Sequence, residues 1–252
     1  MKPFWRCPWT WGVLLLALGL RLFGIAHELP WHAHWDEYRS YRNLYHVAAH
    51  RGEPLDQLNP PFYVYTWGVA MAPAALVLGP RGLLDAYTVN PTLIYLFGRG
   101  LSTLFGLLTV ILLGRLAERR FGPLARIPAM LLLAADPVHI LECQYATSTA
   151  MGLWAFLWAF SASCQAANGT LKAVLKAGAL CGLAAGVKYT GGLALLLLLV
   201  LLLEVRAWRR MPAAILASAM GFLAANPWAL IDLLGPRGFL YWLGRQSRQT
   251  GP

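Results

Sequence analysis

Apolar residues in this chain come in blocks about as long as a bilayer is thick, and no other feature limits its fold so strongly. A helix needs roughly 17–25 mostly apolar residues to cross the hydrocarbon core. Such blocks lie at about 8–26, 93–114, 127–141, 150–167, 173–187, 190–205 and 212–231. The blocks 127–141 and 173–187 are short and need a thin bilayer, flanking snorkelling or shielding by neighbours. With 58% hydrophobic and 13% charged residues, the composition excludes an ordinary cytosolic enzyme, which runs near half apolar and a quarter charged. The 11 Trp, 10 Tyr and 10 Phe suit a chain that meets the lipid–water boundary repeatedly. A net charge of +10 would suggest nucleic acid in a soluble protein. Here it reads as cytoplasmic anchoring to anionic headgroups, with no nucleic-acid partner. The expected fold is an all-α polytopic membrane protein of about seven transmembrane helices.

The four cysteines at 7, 143, 164 and 181 show no CxxC or metal-ligand spacing and read as small packing residues. Lys2 and Arg6 precede an apolar run that lacks an A-x-A site and is interrupted by Arg21, so the first helix is read as uncleaved. An eighth apolar stretch, 61–80, begins Pro60-Pro61 at its edge and contains Pro73. Lysine and arginine collect in cytoplasmic loops, and Arg115, Arg119, Arg120 and Arg126 make 114–126 the most basic internal loop. Keeping that loop on the same side as Lys2 and Arg6 requires 61–80 to be interfacial or re-entrant. Residues 27–92 then form a long outer loop with interfacial helices and 226–252 an outer tail, within one module spanning 1–252. Most acids and all six histidines lie at the outer face under this topology.

From Asp36 onward, Tyr38, Tyr41, Tyr45 and Ala48 recur at helical spacing on one face, and Arg39, Arg42, His46 and His50 on another. That is an amphipathic helix suited to the interface plane. Asp36 and Glu37 fall in its first turn, where they either complement the helix dipole or present a carboxylate as general base. The alternation His32, His34, Asp36 and the pair His46, His50 could share a divalent ion. No further residue completes a ligand set, so solvated interfacial histidines are the preferred reading and a divalent metal stays only a possibility. Arg99 lies inside its span and Lys188 between two apolar runs. Each is either a site for a lipid phosphate or a structural charge: Arg99 paired with Asp85 or Asp136, Lys188 snorkelling to the surface.

Taken in order, these motifs resemble the polytopic GT-C glycosyltransferases of the protein O-mannosyltransferase and aminoarabinose-transferase type, which use sugars carried on polyprenyl phosphate. The likeness runs from Asp36-Glu37-Tyr38-Arg39 after the first helix, through Asn59-Pro60-Pro61-Phe62-Tyr63 and Arg99-Gly100-Leu101-Ser102, to Glu118-Arg119-Arg120-Phe121-Gly122. It continues with Asp136-Pro137, Tyr145-Ala146-Thr147, Val187-Lys188-Tyr189-Thr190 and Asn226-Pro227-Trp228. Where many relatives carry an acid after the Tyr-Ala segment, this chain has Thr147-Ser148-Thr149-Ala150; Asp136 and Glu142 are the acids placed to compensate. Relatives usually continue beyond the seventh helix, so the likeness is to the N-terminal helical module.

The resemblance implies a multi-pass protein of the plasma (inner) membrane that moves a sugar from a polyprenyl-phosphate donor to an acceptor hydroxyl at the extracytoplasmic face. Asp36, with Glu37, would be catalytic, and Arg39, Arg99, Lys188 and Tyr189 would hold the donor phosphate. The acceptor could be a protein, a lipid or a glycan. The alternative is a non-catalytic or truncated module that binds lipid phosphate and needs a partner membrane subunit. A solute transporter is disfavoured, since the charges avoid the midplane and no inverted repeat is present.

Overall fold

The computed structural model describes residues 4–31, 34–234 and 240–241. Among the described residues the regular secondary structure is all helical, with no strand. The first four helices are α1 (Pro8–Leu22), α2 (Trp35–Ala49), α3 (Phe62–Thr88) and α4 (Thr92–Phe121). A short pair follows, α5 (Arg126–Ala134) and α6 (Pro137–Cys143). The remainder are α7 (Thr149–Ala166), α8 (Leu171–Val187), α9 (Leu193–Glu204), α10 (Met211–Ala225) and the single turn α11 (Trp228–Ile231).

Helices thus occupy every expected block, and they differ in length among the described residues. Two are long and apolar enough to cross a membrane, Phe62–Gly79 and Thr92–Phe121, with a third if Pro123–Ala134 and Pro137–Cys143 act as one bent span. Pro8–Leu22 and Tyr189–Glu204 are shorter apolar helices. The block 127–141 is broken by 63° at Asp136-Pro137. Pro137 fits the first helical position, where a missing N–H costs nothing, and the Asp136 carboxylate accepts the His139 N–H at 2.6 Å. The block 212–231 breaks likewise at Asn226-Pro227, where α10 ends.

The stretch 61–80, expected to be interfacial or re-entrant, forms a helix with the length and apolarity of a span. The helix passes Pro73 unbroken and changes direction at Gly79, whose φ of 66° and ψ of 176° suit a residue without Cβ. The expected basic loop is corrected by the structure. Helix α4 runs on to Phe121 and ends at Gly122 (φ 87°), so Arg115, Arg119 and Arg120 are helical. Arg126 is buried and pairs with Glu118 at 3.2 Å. Arg115 lies over the rings of Phe4 and Trp5, each at 5.1 Å.

The chain divides into two compact units, Met1–Tyr41 with Trp67–Trp154, and Arg42–Thr66 with Ala155–Pro252. In the first, Val13 and Ala17 of α1 pack with Val110 of α4 and with Met130 and Ala134 of α5. In the second, α8 and α10 meet through small residues. A Cβ on Gly178 would lie 2.5 Å from the Ala214 carbonyl oxygen, and one on Gly182 would lie 1.8 Å from that of Ser218. This backbone-to-backbone approach is how helices associate in lipid, where tails are as apolar as leucine and van der Waals packing must do the work. Large side chains such as Leu76 and Val77 (each 86% exposed) and Leu132 (77%) point outward, as lipid-facing residues do. The four cysteines are unpaired, and Cys143 and Cys181 are buried.

Gly182→Ala is expected to force α8 and α10 apart, costing about 1–3 kcal/mol as overpacking does. Gly192→Ala, whose Cβ would find its nearest neighbour at 3.7 Å, should be neutral. Thermal unfolding of both variants in mild detergent checks this; equal melting temperatures would refute the close approach.

Candidate active site

The site in the first unit begins at the N-terminus of α2. The His34 carbonyl accepts the Tyr38 N–H at 3.1 Å, and the His34 Nδ1 accepts the Glu37 N–H at 3.3 Å. His34 thus caps the start of the helix through its ring. The ridge that α2 buries includes Glu37, Tyr41 and Leu44, at the i, i+4, i+7 spacing of one face. The tyrosine stripe expected from the sequence is offset from it: Tyr41 is buried, whereas Tyr45 and Ala48 are exposed.

Glu37 is 2% exposed and Arg99 is fully buried. They form a two-pronged pair, with Arg99 Nε donating to Glu37 Oε1 at 2.8 Å and Nη2 to Oε2 at 2.7 Å. Arg99 Nη1 donates to the carbonyls of Ile25 at 2.7 Å and His27 at 2.8 Å. Glu37 Oε1 also accepts the Ala146 N–H at 2.7 Å. The expected structural partners of Arg99, Asp85 and Asp136, are therefore not the ones it takes. Buried charges persist only when paired and hydrogen-bonded, and these two meet that condition by drawing together α2, α4, the stretch after α1 and the segment following α6.

Tyr145 lies beside the pair. Its ring stacks on His34 at 4.2 Å, meets His27 edge-on at 5.1 Å, and lies 5.7 Å beneath the Arg99 guanidinium carbon. Burial, then the negative charges of Glu28 and Glu37, push the Tyr145 phenol up, so it stays protonated at neutral pH. Tyr41 and Tyr87 stack at 4.2 Å and exchange hydroxyl-to-carbonyl hydrogen bonds. Burial pushes the Tyr41 phenol up to about 12, so it remains a donor.

The adjacent carboxylates thus have different environments. Asp36 is exposed, and among the described residues its carboxylate has no hydrogen-bond or ion-pair partner. Only its backbone carbonyl is engaged, by the Ser40 hydroxyl at 2.9 Å. Arg39 is half-buried one turn along α2. Asp136 is occupied in capping α6, and Glu142 is half-buried on that helix.

Lys188 and Tyr189 belong to the second unit, at the end of α8. The Tyr189 hydroxyl donates to the Gln57 carbonyl at 2.7 Å, and buried Asn226 donates to the Gln57 side chain at 3.3 Å. Gln57 had no signal in the sequence, being a lone amide between apolar motifs. His46 and His50 stack at 3.9 Å, His32 lies outside the described residues, and no group of three or more metal-ligating side chains occurs among the described residues.

The sequence matches the model of the dolichyl-phosphate-mannose-protein mannosyltransferase family over residues 96–231, more than half of the chain. The chain belongs to this family. It is accordingly a membrane glycosyltransferase of the GT-C type that uses a lipid-linked sugar donor. No curated protein and no solved structure matches it. The matched region of this family member includes Arg99, Asp136, Glu142, Lys188 and Tyr189, while Asp36, Glu37 and Arg39 lie before it. The buried ion pair therefore ties a family-matched helix to the preceding loop.

Removing one partner of a buried pair strands the other charge, at a cost of about 3–5 kcal/mol, while replacing both with apolar groups is often neutral. Glu37→Leu and Arg99→Met singly should each lower the melting temperature in detergent, and the double variant should recover most of the loss. Additive losses would mean that the two side chains do not interact.

Proposed function

We propose that this glycosyltransferase moves a sugar from a polyprenyl-phosphate carrier to an acceptor hydroxyl at the extracytoplasmic face of the plasma membrane, with Asp36 as the base. The observation that carries the reading is the sorting of two neighbouring acids. Glu37 is consumed by Arg99, and Asp36 stands exposed, with no partner for its carboxylate among the described residues, on a helix that the same pair anchors. A base must reach the proton it takes, which favours the exposed acid; the buried one serves to hold it.

In this mechanism the Asp36 carboxylate takes the proton of the acceptor hydroxyl as its oxygen attacks the anomeric carbon. The bond from that carbon to the phosphate oxygen breaks, and polyprenyl phosphate leaves with the electron pair. Fixed positive charge near the leaving phosphate lowers the barrier, because preorganised electrostatics are worth most where charge develops. Arg39, one turn from Asp36, is the cation proposed to do this in the first unit. Arg99 is neutralised by Glu37, so its contribution is through placement of α2. Lys188 and Tyr189 remain candidates for the donor phosphate. The outer-face reading is supported by Arg115, Arg119 and Arg120 at the far end of α4 from Arg99, since such residues favour the cytoplasmic side.

The test is donor turnover in purified membranes with a panel of polyprenyl-phosphate sugars, comparing wild type and Asp36→Asn at matched protein levels. Asp36→Asn should lower turnover by about 10²–10⁴, the usual worth of a general base, with insertion unchanged. Wild-type turnover in that variant would remove Asp36 from the mechanism.

A further inference from the structure

Unlike Arg99 and Arg126, the buried Arg21 has no acidic partner among the described residues. It lies in the last turn of α1 and is fully buried. Its Nη1 donates to the carbonyls of Ala17 at 2.9 Å and Ala134 at 3.2 Å. Its Nη2 donates to the Leu133 carbonyl at 3.2 Å and contacts His139 Nδ1 at 2.6 Å. Leu133 and Ala134 close α5, so the cation sits against the negative end of that helix, at the bend between α5 and α6. Arginine only donates, so His139 Nδ1 must offer its lone pair and its proton resides on Nε2, 4.0 Å from the Cys143 sulfur. Gly106 of α4 leaves the room required. A Cβ there would lie 3.2 Å from Arg21 Nε and 2.3 Å from Cys143 Sγ.

One residue beyond α6, Gln144 extends the same attachment. Its Nε2 donates to the carbonyls of Leu20 at 3.2 Å and Phe23 at 2.6 Å. The end of α1 is therefore bound both to the bend before α6 and to the residue after it. The next two residues are Tyr145, which carries the His34 and His27 rings, and Ala146, whose N–H is held by Glu37. From α4, Thr103 and Ser102 hold the Cys143 and Thr147 carbonyls at 3.2 and 3.3 Å.

We propose that Arg21 and Gln144 are positioning residues for the sugar transfer. Neither touches the reacting groups. They set α6 and residues 144–147 at the height where Ala146 meets Glu37, and so fix the first turn of α2 that carries Asp36. This rests on the reading of Asp36 as the base. The fork of Arg21 is needed because its acceptors, two carbonyls ending α5, one on α1 and an imidazole, lie in different directions. A lysine ammonium is a point charge that cannot serve both sides of a fork.

The experiment uses the full chain in lipid nanodiscs, with Arg21→Gln, Arg21→Lys and Gln144→Ala. Amide hydrogen exchange is followed in peptides covering 143–149, and kcat and KM are measured for the polyprenyl-phosphate sugar that wild type turns over. Each variant is expected to speed exchange at Ala146 by about tenfold or more, Lys failing to rescue Arg21. An ångström of misplacement can cost about 10²-fold in rate, so kcat should fall by up to about that factor while KM for the donor stays at the wild-type value. If the Arg21 variants do not fold, Gln144→Ala decides by the same measurements, since its half-buried side chain leaves the core intact. Unchanged exchange would overturn the proposal by showing that Thr103 and Ser102 hold the segment unaided. Faster exchange with unchanged kcat would overturn it too, because transfer would not depend on the segment. Should wild type turn over no donor, the reading of the function fails, and exchange alone decides whether Arg21 and Gln144 position the segment.

Discussion

The pairing of Glu37 with Arg99 is the contact on which the first unit depends. Neither group can be left alone among apolar side chains, because an isolated buried ion costs several kilocalories per mole even after relaxation. Each is therefore saturated: Arg99 by Glu37 and two carbonyls, Glu37 by Arg99 and the Ala146 N–H. The acceptors and donors come from segments far apart in the chain. Satisfying one ion pair thus requires the residues after α1, the first turn of α2, the start of α4 and the segment after α6 to meet at one point. The same requirement separates two adjacent acids. Once Glu37 faces Arg99, helical geometry turns Asp36 by about 100° around the axis and leaves it outside.

Arg21 shows the same physics with a different counter-charge. Its cation is answered by the carbonyl end of α5 and by a neutral His139 instead of a carboxylate. The bend that frees those carbonyls is local chemistry, an aspartate cap followed by proline, and the arginine uses what the bend exposes. In the second unit α8 and α10 approach until backbone touches backbone, because Gly178, Gly182 and Gly221 present no side chain. Buried polar saturation and small-residue packing are the two devices open to helices whose exterior gains nothing from leaving lipid.

Much of this was legible in the residues. The apolar blocks located the helices, although 127–141 and 212–231 ran through the breaks at Asp136-Pro137 and Asn226-Pro227, and the ordered motifs led to the family that residues 96–231 match. Other features were hidden for identifiable reasons. The buried face of α2 was misplaced by one position, since tyrosines look more apolar than a glutamate, and Glu37 becomes a core residue only when its partner is known. Arg99 was recognisable as a costly charge, but Asp85 and Asp136 were equally good partners in one dimension. Arg21 read as a flaw in an apolar run. Residues 115–120 looked like a loop because charge masks helical continuity, although arginine is a good helix former.

The sequence by itself determined that the chain is helical and membrane-embedded, that it belongs to a glycosyltransferase family, and that its unusual charges are few and need explaining. Those properties follow from composition, local periodicity and short motifs, each confined to one stretch of chain. Only the tertiary structure decided which acid is buried and which is exposed, which carbonyls receive Arg21, and which helix pair closes to backbone contact. These are matters of partnership between residues as far apart as Glu37 and Ala146, and a partner is chosen by three-dimensional distance under the penalty for leaving a polar group unsatisfied.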